Sequence, residues 1–380
     1  MKSIVRNSII LLSLVLVFVS CKDDGPDTSI DSVKSLVAPA NNFSVVLQPT
    51  GGDVFFEWDA VNENGILYQV VFDLASGDFS NPVYTINSDN NGSKPSISLS
   101  QRDLNKIARL MGMKSSQTGS FKWSVLSIRG LNTMKAAQER TITVKRMSGF
   151  DELPVGVYLT GAASEAGANI ADAISMRRIE DGVFEIFSRI TEGQSYSFVN
   201  EKSAAAIKFY YDPVDDVIKE DVNNVNMTVS KTGVYRIKLD FTTGAAKYNE
   251  IKSFHLYFCP DNVNLFELPY VGNSVFKATS KPVTFKQESW GRDERYKFRM
   301  YLLDSSGNEF MEVWGTKNNT DSRPSGDSPP SYYHMMQTAN NQWDQKWKFH
   351  GDMDRALVDV TAYFQAGAEY THSVVKVGNQ

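Results

Sequence analysis

Short runs in which apolar and polar residues alternate constrain the fold of this chain more than any other feature. In one such run Val54, Phe56 and Trp58 share a face, because successive side chains of a strand point to opposite sides. About seven short strands of this kind predict an immunoglobulin-like or fibronectin III-like β-sandwich. We place this first domain at residues 33–148. Further runs of the same type lie at 68–73, 96–99, 121–125 and 141–144.

One helix is predicted inside this domain. Ser100 is a typical helix N-cap, and Gly112 is a typical residue at which a helix ends. Between them apolar residues recur at helical spacing, which predicts a helix with one buried face. The members of that stripe are Leu104, Ile107, Ala108 and Met111.

The remainder of the chain is too long for one hydrophobic core and continues in the same style. A faint repeat supports two further units, since 182–186 with 196–199 resembles 274–278 with 296–299. We therefore predict an all-β protein of tandem β-sandwiches. The second sandwich is placed at residues 152–250, and the third at residues 251–380.

The N-terminus predicts export. Lys2 and Arg6 precede an apolar run from Ile9 to Val19, which together are typical of a signal peptide, here residues 1–20. The run ends in Ser20-Cys21, which is similar to the lipobox of bacterial lipoproteins. We therefore predict lipidation of Cys21, and two or more acyl chains would give stable membrane anchoring.

A polar segment separates the predicted anchor from the first domain. Residues 21–32 contain almost nothing apolar and are expected to form a flexible tether. Its first residues, Lys22-Asp23-Asp24, resemble the lysine-plus-acidic surface-export signal of lipoproteins from Bacteroidetes-type bacteria. The expected location is the outer membrane, with the protein facing the cell exterior.

Charge and cysteine content exclude some classes of protein. The formal net charge is −5, and no basic run is interleaved with aromatic residues, which argues against nucleic acid as a partner. Apart from Cys21 there is one cysteine, Cys259, so stability has to come from hydrophobic cores and not from a disulfide. Cys259 lies in a strand-like run and is interpreted as a structural residue.

Six motifs in the first domain carry a family resemblance. They lie at Leu36–Asn42, Phe56–Ala60, Tyr68–Asp73, Asp78–Phe79, Leu104–Asn105 and Phe121–Val125. Their order and spacing resemble the N-terminal domain of the SusE-like (SusE/SusF-type) glycan-binding lipoproteins of starch-utilisation-type systems. The resemblance implies a spacer domain followed by non-catalytic modules that bind polysaccharide. It also implies a TonB-dependent transporter and its partner lipoprotein as neighbours.

Aromatic residues of the third unit predict a sugar-binding site. The flat face of a sugar ring stacks on an aromatic side chain, while nearby polar groups bind its hydroxyls. In contrast, Trp58 and Trp123 alternate with apolar residues and are interpreted as core. The predicted ligand-binding residues are Trp290, Arg292, Trp314, Tyr332, Tyr333, Trp343 and Trp347.

Two other functions stay open at this point. A surface glycoside hydrolase or lyase would need two carboxylates facing each other across a cleft, which spacing along the chain cannot establish. A structural or adhesive surface stalk would have all its aromatic residues in the core. No cofactor or metal site is predicted: the four histidines are scattered, and Asp261, Asn262 and Asn264 are too few ligands for a calcium loop.

Overall fold

The structure, a computed structural model, describes residues 30–318 and 320–380. The predicted signal peptide, the predicted lipidation site Cys21 and nearly all of the predicted tether lie outside the described residues. Strands predominate among the described residues, and the prediction of an all-β protein with tandem sandwiches is confirmed. Within these two ranges no helix has both the length and the apolar composition needed to cross a bilayer.

The N-terminal domain is a two-sheet sandwich. One sheet has the order β1-β3-β6, and the other has the order β2-β9-β7-β4-β5 with β8 paired to β7. The core between them includes Trp58 and Trp123, as predicted, and Phe56, whose ring meets that of Trp123 edge to face at 4.9 Å. The strands are β1 Leu36–Ala38, β2 Phe43–Val46, β3 Val54–Trp58, β4 Leu67–Leu74, β5 Tyr84–Asn87, β6 Ser96–Leu99, β7 Thr118–Arg129, β8 Asn132–Lys135 and β9 Arg140–Lys145.

The predicted helix of this domain is present as α1, Gln101–Leu110. Ser100 caps it and forms a reciprocal capping box with Asp103. Its buried face includes Leu104, Ile107 and Ala108, three of the four residues predicted to form the apolar stripe. The local sequence was sufficient to place this element because caps and period are both short-range signals.

The second sandwich has one sheet of its own and shares the other. Its own sheet has the order β11-β10-β14-β15-β16 and packs on β13 and β17 of a larger sheet. A short 3₁₀ helix, Ile170–Asp172, precedes β11. The strands are β10 Tyr158–Thr160, β11 Ile174–Ser175, β12 Arg177–Glu180, β13 Val183–Ile190, β14 Ser197–Val199, β15 Lys208–Asp212, β16 Val217–Glu220 and β17 Gly233–Asp240.

The C-terminal sandwich packs a four-stranded sheet, β20-β21-β28-β29, against the rest of the larger sheet. Three 3₁₀ helices lie in its loops, at Cys259–Asp261, Pro330–Tyr333 and Gly351–Met353. The strands are β18 Ala245–Phe258, β19 Val263–Glu267, β20 Tyr270–Gly272, β21 Val275–Val283, β22 Lys286–Glu288, β23 Gly291–Asp293, β24 Arg295–Leu303, β25 Glu309–Thr316, β26 Met335–Thr338, β27 Trp347–Lys348, β28 Ala356–Tyr363 and β29 Thr371–Asn379.

One nine-stranded sheet runs through both the second and the third sandwich. Its order is β12-β13-β17-β18-β24-β25-β26, with β19 paired to β18 and β27 paired to β24. The strand β18 pairs with β17 from Ala245 to Ile251 and with β24 from Glu250 to Phe258. The predicted boundary between residues 250 and 251 therefore lies within a strand: the two units have separate cores but a common sheet.

Strand β13 shows how the two cores share this sheet. Phe184 and Ile186 belong to the second core, whereas Phe187, on the opposite face, belongs to the third and lies 4.4 Å from Phe364 between ring centroids. A strand that is buried on both faces reads as a continuous apolar run and not as an alternating one. The segment 183–190 is buried at every position except Arg189, and its sequence is apolar except at Glu185, Ser188 and Arg189.

A buried ion-pair network stabilises the face of this sheet that belongs to the third core. Arg236 donates from Nε to Glu185 at 2.6 Å and from Nη1 to Glu312 at 2.6 and 2.7 Å. Tyr370 donates to the other oxygen of Glu185 at 2.8 Å. The network joins β13, β17, β25 and the segment before β29, and Glu185 is only 3% exposed.

Replacing the guanidinium of this network tests its contribution. Arg236→Met should lower the free energy of unfolding by roughly 3–5 kcal/mol, because it leaves the buried carboxylate of Glu185 without its cation. Urea unfolding followed by tryptophan fluorescence would measure the change. The matched control is Lys231→Met, since Lys231 is exposed and pairs with Glu250 at the surface. An equal effect of the two substitutions would contradict this account.

Candidate functional site

A polar cleft with an exposed tryptophan at its edge lies on the C-terminal sandwich. Its volume is about 480 Å³, and it opens on the face of the nine-stranded sheet opposite the third core. Segments from three places form it: the end of β18 with the following 3₁₀ turn, β24, and the loop between β26 and β27. We call it the Trp343 cleft. It is lined by Tyr257, Asn262, Arg299, Asn340, Asn341, Gln342 and Trp343.

A tight turn holds Trp343 at the edge of the cleft. The side-chain Oδ1 of Asn341 accepts hydrogen bonds from the backbone N–H groups of Trp343, at 2.9 Å, and Asp344, at 2.8 Å. Such a turn is typical of asparagine, whose short side chain replaces a backbone acceptor. The tryptophan is 64% exposed as a result, and its indole is free to contact a ligand.

One face of the indole is covered by an arginine. The guanidinium carbon of Arg295 lies 4.6 Å from the centroid of the Trp343 ring. That guanidinium is held in place by Asp293, with Nε and Nη2 donating at 2.9 and 2.6 Å, and by the carbonyl of Gln342 at 3.1 Å. Since the ring is still mostly exposed, Arg295 fixes its orientation and leaves its other face to solvent.

The floor of the cleft follows from the alternation of side chains along β24. Tyr296, Phe298 and Met300 are buried in the third core. Arg299 points to the other face, where its guanidinium carbon lies 3.6 Å from the centroid of the Tyr257 ring. These two residues come together because β18 and β24 are neighbouring strands, with Tyr257 opposite Lys297 in the ladder.

Two asparagine side chains complete the floor. Nη2 of Arg299 donates to the side-chain oxygens of Asn262 and Asn340, each at 3.2 Å. The Tyr257 hydroxyl donates to the same Asn262 oxygen at 2.9 Å. Asn262 can occupy this position because it ends the 3₁₀ turn with a φ of 55°, a backbone conformation that asparagine tolerates.

Two ionisable side chains at the floor, the phenol of Tyr257 and the thiol of Cys259, are uncharged at physiological pH. Burial raises the pKa of the Tyr257 hydroxyl, which therefore remains a hydrogen-bond donor. Burial also raises the pKa of Cys259 to about 12, so this residue is a thiol and not a reactive thiolate. The structural role expected for Cys259 agrees with its complete burial. None of the seven residues that line the cleft carries a carboxylate.

Three of the predicted ligand-binding residues are core residues, which corrects those predictions. Trp314, Tyr332 and Trp347 are 3%, 5% and 1% exposed, and a ring buried to that extent has no face left for a sugar. Trp314 packs edge to face on Phe364, and the indole N–H of Trp347 donates to the carbonyl of Tyr332 at 2.8 Å. Trp314 and Phe364 are fifty residues apart, and Trp347 and Tyr332 are fifteen residues apart, so neither contact could be inferred from local composition.

Three further predicted ligand-binding residues, Trp290, Arg292 and Tyr333, lie outside the Trp343 cleft. Trp290 is 68% exposed at the turn of the β22–β23 hairpin and remains a proposed ligand contact. Arg292 of the same hairpin binds both carboxylate oxygens of Asp354, each at 2.5 Å, and serves to attach the hairpin to the domain. Tyr333 is half-buried against the third core, with its ring 4.9 Å from that of Tyr332.

Among the residues of this cleft, Trp343 was proposed from the sequence, whereas its neighbours were not. The missed residues are Tyr257, Asn262, Arg299, Asn340, Asn341 and Gln342. A local signal existed for the last three, because the run 340–342 directly before an exposed tryptophan is rich in amide side chains. For the first three no local signal existed, since strand pairing and the 3₁₀ turn bring them to the site.

A second cavity, of about 710 Å³, lies on the second sandwich. Five tyrosines dominate its wall. Met227 and Val229 also line it, as does Ser305, which lies in the turn between β24 and β25. The Tyr211 hydroxyl donates to Asp216 at 2.6 Å, and burial raises the pKa of Tyr211 to about 12. The tyrosines are Tyr196, Tyr210, Tyr211, Tyr235 and Tyr248.

Among the described residues no cluster of His, Cys, Asp and Glu side chains has the arrangement that would hold a metal ion. The segment from Asp261 to Asn264, considered above as a calcium loop, has a different role in the structure. Asn262 accepts hydrogen bonds from Tyr257 and Arg299, and Asp261 pairs with Lys286 at 3.3 Å. These side chains therefore connect the cleft floor to the β22–β23 hairpin.

Comparison with known proteins gives a family match for the N-terminal part of the chain. A family model described as SusE outer membrane protein matches residues 22–126. No curated protein matches the chain. Among solved structures, SusF from Bacteroides thetaiotaomicron is 10% identical, with a TM-score of 0.23 over 91% of this chain and 100% of that one. A DUF4784 family protein from Bacteroides caccae ATCC 43185 is also 10% identical, with a TM-score of 0.18 over 92% and 96% of the two chains.

At these scores the overlays carry no information on how the domains are arranged. The family model is more informative, because all six motifs on which the sequence resemblance was based, from Leu36 to Val125, fall within the matched segment. The predicted resemblance is thereby confirmed for the N-terminal segment, since residues 22–126 match the SusE family model.

Proposed function

We propose that the protein is a non-catalytic, cell-surface glycan-binding lipoprotein that captures polysaccharide for a starch-utilisation-type uptake system. The observation that carries the proposal is the Trp343 cleft, in which an exposed, oriented indole stands beside amide and guanidinium donors. An aromatic platform with a few convergent polar groups is the arrangement that recognises a sugar ring and its hydroxyls.

The geometry favours binding over catalysis. Hydrolysis of a glycosidic bond by the common mechanism requires two carboxyl groups on opposite sides of the bond. The residues lining the Trp343 cleft supply amides, a phenol, a guanidinium and an indole, but no carboxylate. These residues can bind a polysaccharide chain, but they lack the acid and the base with which the common mechanism cleaves it. Because a polymer presents many equivalent units, modest affinity for each unit is sufficient for retention at the surface.

The location of the protein is proposed from two independent observations. The matched family model is described as an outer membrane protein. The sequence before the described residues combines a signal-peptide pattern with a lipobox-like Ser20-Cys21. In this proposal Cys21 anchors the chain in the outer membrane, with its sandwiches facing the exterior. The neighbours would be a TonB-dependent transporter and its partner lipoprotein.

Binding should depend on the exposed indole. In Trp343→Ala, the dissociation constant for the bound polysaccharide should rise at least tenfold, equivalent to about 1.4 kcal/mol, because the stacking surface is lost. We expect a smaller effect of Trp290→Ala, whose ring stands outside the cleft. The measurement is affinity electrophoresis of residues 22–380 in gels that contain plant and host polysaccharides, followed by calorimetry with the polymer that retards migration most.

The matched control is Phe55→Ala, which removes an exposed aromatic ring, 45% accessible, from the N-terminal domain. It should migrate like the unmodified protein on every polymer. Unretarded migration of the unmodified protein throughout the panel would favour a surface stalk instead. The appearance of shortened sugar products during the assay would favour the hydrolase or lyase.

The proposed anchor can be tested separately from the cleft. Cys21→Ser should abolish incorporation of radiolabelled palmitate and move the protein out of the membrane fraction, because the acylated thiol is absent. Cys259→Ser is the control, since it removes the other cysteine, which is buried, and should leave both labelling and fractionation unchanged. Continued membrane association of the Cys21 variant would show that the chain is held there by something other than the lipid.

A further inference from the structure

Arg299 differs from the other arginines around it in having no carboxylate partner among the described residues. Arg292, Arg295 and Arg323 pair with Asp354, Asp293 and Glu294, respectively. The groups that contact Arg299 are the side-chain oxygens of Asn262 and Asn340 and the ring of Tyr257, all of them uncharged.

The guanidinium also retains unused hydrogen-bonding capacity. Its Nε is buried and has no hydrogen-bond partner within the described part of the chain. A buried donor without a partner costs free energy, and an arginine fork is most strongly satisfied by an anion with two oxygens. Asn262, Asn340 and Tyr257 thus orient this cation towards the cleft without neutralising it.

Lys297 adds a second cation on the same face of β24. It is fully buried, and its Nζ lies 3.4 Å from the carbonyl oxygen of Ala339, in the loop that continues to Asn340. Burial lowers the pKa of Lys297, and a bound anion nearby would oppose this effect.

The local charge is opposite to that of the protein as a whole. The chain has a formal net charge of −5, yet the lining of the Trp343 cleft carries one positive side chain and no negative one. Of the acidic residues near the cleft, Asp293 and Asp261 are paired with Arg295 and Lys286, and Asp344 is exposed on the turn that holds Trp343, where Asn341 donates to it at 3.3 Å. Amides alone would suffice for the hydroxyls of an uncharged glycan, so the unneutralised arginine calls for a further explanation.

We infer, on the basis of the proposed glycan-binding function, that the ligand is an acidic polysaccharide whose anionic group binds Arg299 while a sugar ring stacks on Trp343. A uronate carboxylate and a sulfate ester both present oxygens that match the guanidinium fork. Trp343 and Arg299 thereby bind different parts of one ligand: the indole contacts the face of a sugar ring, and the guanidinium binds the anionic group.

Two matched pairs of polymers separate charge from the sugar backbone and separate the two sources of charge. The first pair is polygalacturonate and its methyl ester, and the second is dextran sulfate and dextran. Binding of residues 22–380 to each would be measured by calorimetry at two salt concentrations. We expect the charged member of at least one pair to bind at least tenfold more tightly than its neutral partner, with an affinity that falls as salt is raised. The pair that shows the preference identifies the carboxylate or the sulfate.

Arg299→Gln should abolish this preference, whereas Arg299→Lys, which keeps the charge but lacks the fork, should retain part of it. Arg355→Gln is the matched control, since it removes one positive charge from an exposed position of the same domain outside the cleft. Unchanged thermal unfolding of each variant would show that the fold is intact.

Equal binding of charged and neutral polymers, or a preference that survives in Arg299→Gln, would overturn the inference. If neutral polymers bind in a manner that depends on Trp343, the proposed glycan-binding function stands and only the inference about charge fails. If no polymer of any kind binds, the proposed function fails, and the inference fails with it.

Discussion

The unbroken hydrogen-bonded ladder along β18 is the constraint on which the rest of the C-terminal two-thirds depends. This strand, Ala245–Phe258, pairs with β17 over its first half and with β24 over its second half. Because one continuous strand belongs to two sandwiches, the second and third cores cannot rotate independently about a linker. The cleft on β24 is consequently attached to a large rigid sheet, which is a favourable foundation for a binding site.

The alternation of side chains along β24 places the candidate site on this rigid sheet. One set of side chains, including Phe298, closes the third core, and the other set, including Arg299, forms the cleft floor. The two functions are inseparable, because a shift of one residue in register would exchange the faces and bury the cations. The core contacts of β24 thus determine where Arg295 and Arg299 point.

The sequence was informative wherever the signal was local. The helix α1 followed from its cap and its period, and the burial of Trp58 and Trp123 followed from alternation. The structure of the N-terminal domain was the most predictable part because its strands pair within a segment of little more than a hundred residues.

Long-range pairing explains what local patterns could not provide. The burial of Trp314 depends on Phe364, fifty residues later, and the position of Tyr257 in the cleft depends on the ladder with β24. The division at residue 250 was drawn where composition changes little, because a strand continues through it. In each case the deciding contact is made by a partner that the neighbouring sequence does not specify.

The two arginines of the cleft show why composition alone could not assign the site either. Arg295 and Arg299 stand four residues apart on one face of β24, and both lie against an aromatic ring. Arg295 is neutralised by Asp293, so its role is to hold the Trp343 indole. Arg299 is surrounded by amides, which orient a charge but do not cancel it. Identical side chains thus acquire different roles from their neighbours: in the proposed site one arginine positions the stacking surface, and the other supplies the charge that a ligand would neutralise.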